Sequence, residues 1–135
     1  MAVLSNLGNY RNAGLLIILV GLGLMFIKYG FPKLAGGPDF WAKIGGSMGN
    51  LGIHFFPVVW GFLAAITETF GGFLLIIGLF SRPVCIALAF TMLVAALNHF
   101  SAGEGISGAG HAIELGVVML GLIFIGPGKY SVDKK

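Results

Sequence analysis

The run PVVWGFLAAITETFGGFLLIIGLF, residues 57–80, decides the fold. It is longer than the ~20 apolar residues a membrane-spanning helix needs. Its apolar residues do not alternate with polar ones, as those of a transmembrane strand would. A helix also satisfies its own backbone hydrogen bonds, which lipid demands. One charged residue, Glu68, sits near the middle of the run. The fold follows from the run, and the function turns on why that carboxylate is there.

The rest of the chain agrees with a membrane setting. Hydrophobic residues make up 57% and charged residues 10%, and the mean hydropathy is +0.97. A soluble domain carries about 25% charged residues, so this chain has too few to cover a water-facing surface. Three more apolar runs accompany the first. The sequence predicts an all-α membrane protein of four transmembrane helices, at about 12–30, 57–80, 83–100 and 108–126. They form one domain over residues 1–135, an antiparallel up-down bundle. Read as a signal peptide, the first run lacks a clear small-residue cleavage site before Lys33.

The turns fit this arrangement. Phe80-Ser81-Arg82-Pro83 closes the second helix and opens the third, with Ser81 available as a cap and Pro83 suited to a first helical turn. Gly126-Pro127-Gly128 ends the fourth helix. The loop at 31–56 is glycine-rich, and residues 38–44 read as a short interfacial helix capped by Asp39. Its Phe40, Trp41 and Ile44 suit the headgroup zone. The loop covers the mouth of the bundle, either as plain structure or as a lid over a site. Four spans put both termini on one side with Arg11, Arg82, Lys129, Lys134 and Lys135. Lys28, Lys33 and Lys43 take the other side, so the basic residues favour cytoplasmic termini. No basic stripe with interleaved aromatics points to nucleic acid.

At ~100° per residue, Gly61, Ala64, Ala65, Glu68 and Gly72 share one helix side. Small residues let another helix approach, so Glu68 is expected to point into the bundle. Similar faces recur elsewhere. Gly14, Gly21 and Lys28 align in the first helix, and Thr91, Ala95 and Asn98 in the third, with His99 beside them. Ser107, Gly110, His111, Glu114 and Gly121 align in the fourth. Four such faces converging on one axis give a polar funnel of Lys28, Asn98, His99, His111 and Glu114, with Glu68 deepest.

Intramembrane ionisable groups are functional by default, because hydrogen bonds between helices in a membrane are worth only ~0.6 kcal/mol each as glue. The bland alternative is an ion-pair lock, Lys28 with Glu68 or Glu114. The functional reading is a pocket for a small, partly apolar ligand, in which carboxylate and imidazole pass protons. A quinone head group fits, since it accepts two hydrogen bonds and takes two protons on reduction. Proton-coupled handling of a small solute needs the same groups. Haem held by His99 and His111 fits less well, because axial histidines usually lie well inside a bundle. A metal on His99, His111 and Glu114 rests on an i, i+3 pair alone, which is a weak motif. Cys85 stands alone, so the chain by itself cannot run dithiol–disulfide chemistry. The Gly45-x-x-x-Gly49 and Ala112-x-x-x-Gly116 spacings permit a homo-oligomer.

An ordered set of short motifs runs from the first helix to the C-terminus. It comprises Lys28-Tyr29-Gly30 with Lys33-Leu34, then Glu68-Thr69-Phe70-Gly71-Gly72, then Gly78-Leu79-Phe80-Ser81-Arg82. Met92 with Ala95-Ala96 and His99 follows, and then Gly126-Pro127-Gly128-Lys129-Tyr130-Ser131-Val132-Asp133. This set resembles the DoxX family of small four-helix membrane proteins. The resemblance implies a helical bundle in a bacterial inner membrane and a loose redox association. Some relatives are quinone-linked subunits in sulfur oxidation, and others accompany membrane oxidoreductases that handle oxidative stress. It implies no catalytic residue and is a poor guide to reaction. The expected function is a quinone-interacting or redox-associated subunit of a membrane oxidoreductase system. The alternatives are proton-coupled solute handling and a non-catalytic assembly subunit.

Overall fold

Gly78 takes φ +71°, a backbone that suits glycine, and there the second long helix stops. The computed structural model describes residues 3–134. A 3-10 turn, Ser5–Tyr10, leads into α1, Arg11–Ala35. A short helix α2, Gly37–Gly45, and a second 3-10 segment, Gly46–Leu51, precede α3, Pro57–Ile77. Helices α4, Ser81–Ser101, and α5, Gly105–Ile125, complete the chain. Four of these helices are long and apolar enough to cross a membrane, and they alternate in direction. The four-span bundle read from the sequence is the fold.

Glycines set the closest contacts. A Cβ on Gly72 would stand 2.5 Å from the Gly23 carbonyl oxygen, and a Cβ on Gly23 equally close to that of Gly72. The backbones of α1 and α3 therefore touch directly. Higher up the same seam, Gly30 lies against Glu68 and Thr69. Gly45 and Gly61 do the same for α2 on α3, where added Cβ atoms would overlap the carbonyls of Pro57 and Trp41. Helix α2 is therefore fastened along the first turns of α3, more firmly than an interfacial helix lying on lipid. The partner seam, α4 on α5, packs Leu88, Met92 and Ala96 with Ala109, Ala112 and Met119.

Two caps differ from the sequence expectation. Ser81 caps nothing; its buried hydroxyl has no partner among the described residues. Asp133 does the capping, accepting from the Ser81 amide at 2.9 Å and the Phe80 amide at 3.2 Å. The tail lies along the α3–α4 turn, with Val132 N–H donating to Ile77 O and Asp133 N–H to Gly78 O. An aspartate 52 residues away can replace a local serine because helix-end amides donate to any carboxylate within reach. Likewise Asp39 is no cap, because α2 begins two residues earlier at Gly37 and Asp39 lies inside its first turn.

Helix α1 extends past residue 30 and carries Pro32 within it. A proline forfeits one helical hydrogen bond, but membrane helices tolerate this where neighbours resatisfy the backbone. The extra turn carries Lys33 into the bundle. The Trp41 indole N–H donates to Lys33 O at 3.0 Å and holds that turn in place.

Candidate functional site

The close approach at Gly30 brings the end of α1 over the middle of α3. Glu68 is 3% exposed, and Lys33 donates to both of its carboxylate oxygens, at 3.1 and 2.9 Å. The expected inward turn of Glu68 is what the helix shows. Its partner, however, is Lys33, which the sequence placed at the head of the loop. Lys28 faces outward, near its own neighbour's ring, with Nζ 5.9 Å from the Tyr29 centroid. The signal for Lys33 was the spacing Glu68 needs from a cation at the same depth, and Pro32 masked it.

Two cavities meet at this pair. The first, about 400 Å³, lies between α2, α3 and α4. Its walls include Phe40, Lys43, Met48, Trp60, Thr91, Asn98 and His99, together with Lys33 and Glu68. The short helix and the 3-10 segment thus form one wall of a chamber. The second, about 360 Å³, opens between α1, α4 and α5, with Tyr29, Met92, His111 and Leu115 around it. Lys33, Glu68, Ala95 and His99 line both. His99 Nδ1 lies 2.9 Å from Glu104 Oε1, which fixes the imidazole at the α4–α5 turn.

The structure therefore brings together four of the six residues expected in the funnel. Glu68 and His99 line both chambers, Asn98 the first and His111 the second. Lys28 and Glu114 line neither and are exposed. The α5 face bearing Ser107, Gly110, Glu114 and Gly121 points away from α4, opposite to Ala109, Ala112 and Met119. A row of small residues suits packing within a chain or between chains equally well, so the pattern did not fix its direction. The metal arrangement weighed from the sequence has no counterpart, since no three of His, Cys, Asp and Glu converge among the described residues.

The site can hold a small molecule with an apolar body and a polar head. Lys33, Lys43, Asn98 and His99 are donors, Glu68 is a buried acceptor, and Phe40, Trp60 and Phe90 give apolar wall. The hydroxyls of Thr67 and Thr91 are already committed to their own helices, donating to Leu63 O and Ala87 O.

The model of the DoxX family matches residues 14–101, from the first span to the end of α4. The chain belongs to the DoxX family. A curated relative, inner membrane protein YphA of Escherichia coli (strain K12), is 26% identical over 139 residues, covering 95% of this chain and 94% of the relative. No solved structure matches. The family-matched stretch holds Lys33, Glu68 and His99 and leaves out α5, and with it His111 and Glu114.

Proposed function

We propose that this DoxX-family protein binds a quinone head group where the two chambers meet and exchanges protons with it. One observation carries the reading: a buried, lysine-paired carboxylate stands between two cavities with a histidine on both. Lys33 and His99 offer hydrogen bonds to the quinone carbonyls. Glu68 and His99 are the groups that can give or take the two protons of quinone reduction. The two electrons come from or go to a partner oxidoreductase subunit, while this chain supplies binding and proton transfer. The apolar gap between α1 and α5 suits an isoprenoid tail.

Both tryptophans of the chain sit beside the first chamber, Trp60 in its wall and Trp41 on the Lys33 carbonyl. Titration of the detergent-purified protein with a short-tailed quinone is expected to quench their fluorescence with saturation. Glu68→Gln should weaken binding by about tenfold, the equivalent of ~1.4 kcal/mol. Absence of saturable quenching, with no quinone found by mass spectrometry of the extracted protein, would sink the reading.

We also place the protein in the inner membrane, as the name of its relative indicates, with both termini in the cytoplasm. The basic residues at the α3–α4 turn and the two ends support this orientation. A fluorescent reporter that matures only in the cytoplasm, fused after Lys135, is expected to glow. A dark reporter at normal expression would invert the topology.

A further inference from the structure

Lys28 and Glu114 lie outside both chambers, and neither has an ion-pair partner among the described residues. Glu114 stands ~14 Å from the start of α5, a helix ~30 Å long at 1.5 Å per residue. A carboxylate facing hydrocarbon at that depth is costly unless a cation meets it. Its face is also hollow. A Cβ on Gly110 or Gly121 would meet nothing within 4 Å. The outer face of α1 has the same character: added Cβ atoms on Gly14 and Gly21 meet nothing, and Lys28 follows in the same row.

The two faces match in charge, spacing and depth. Lys28 and Gly21 are seven residues apart, and so are Glu114 and Gly121. Helices α1 and α5 run in opposite directions, so Lys28 beside Glu114 brings Gly21 beside Gly121. Depth is set within one chain by Tyr29, whose ring centroid is 6.0 Å from that of His111. Copies in one membrane share that depth. Lys28 and Glu114 lie ~1.5 and ~4.5 Å below that contact, toward the termini. Side chains lean toward each helix's N-terminus, which in antiparallel helices aims these two at each other. The small-residue spacings that suggested self-association are spent inside the chain, Gly45 against α3 and Gly116 against Met92.

We propose that the protein self-associates head to tail, with the Gly14–Gly21–Lys28 face of one copy packed on the Gly110–Glu114–Gly121 face of the next. Lys28 of one copy pairs with Glu114 of its neighbour. The interface joins different patches, so it propagates until a ring closes, and all copies keep one orientation in the bilayer.

The test uses two differently tagged full-length chains in a Cys85→Ala background, one with Gly21→Cys and one with Gly121→Cys, oxidised in membranes. Co-expression is expected to give a disulfide-linked heterodimer, and either chain alone none. Adding Glu114→Lys to the second chain should abolish the crosslink, and adding Lys28→Glu to the first should restore it. No heterodimer, or a homodimer of the Gly121→Cys chain alone, would overturn the proposal. So would a crosslink indifferent to both charge changes.

Discussion

Lys33→Met is expected to destabilise the folded protein by about 3–5 kcal/mol, the usual cost of stripping a buried charge of its partner. The carboxylate of Glu68 is 3% exposed and takes both of its side-chain hydrogen bonds from Lys33. With the lysine gone, that charge keeps no side-chain hydrogen bond among the described residues. Glu68→Gln should cost less, because the amide keeps an acceptor and leaves a cation that is itself 35% exposed. In the Glu68→Gln background, Lys33→Met should then cost less than about 1 kcal/mol. A double-mutant cycle of unfolding in mixed micelles measures the coupling. If Lys33→Met alone matches the wild type, the pair does not hold the site together.

Gly72→Val is expected to be the second large effect. Its Cβ has the Gly23 carbonyl oxygen at 2.5 Å and the Ile27 side chain at 2.8 Å. Overpacking a core usually costs about 1–3 kcal/mol. Here the obstacle is backbone, which cannot rotate aside, so the loss should reach or pass the upper figure. Parting α1 from α3 also draws Lys33 off Glu68, so the proposed quinone binding should fall with stability. Gly21→Val is the control. That position is open, and the monomer should keep its unfolding midpoint in detergent even though the interface between copies is disturbed. Equal midpoints for Gly72→Val and wild type would mean that the α1–α3 contact is looser than described.

How much of this could be read from residues alone differs from place to place. The four spans were legible because length and apolarity are properties of single segments. The inward turn of Glu68 was legible because Gly61, Ala65 and Gly72 share its side and no competing polar face exists on that helix. Lys33 was not, because proline usually ends a helix and Pro32 does not end this one. The Asp133 cap joins residues more than fifty positions apart, and no local pattern announces it. Glu114 was placed on the correct helix face but pointed the wrong way. Small residues mark where helices meet without saying whose helix is met.

The glycine contacts have a mechanical consequence. Helices α1 and α2 each touch α3 backbone to backbone at their glycines, where no side chain stands between to flex. Helices α4 and α5 form a second piece, held to the first at the α3–α4 turn, by the tail, and where the 3-10 segment Gly46–Leu51 meets α4. Both chambers lie on the seam between these pieces. Their width is therefore set by the turn and tail on one hand and by the 3-10 segment that bridges to α4 on the other. In a bilayer lateral pressure acts across that seam, so changing the lipid composition is expected to shift the proposed binding.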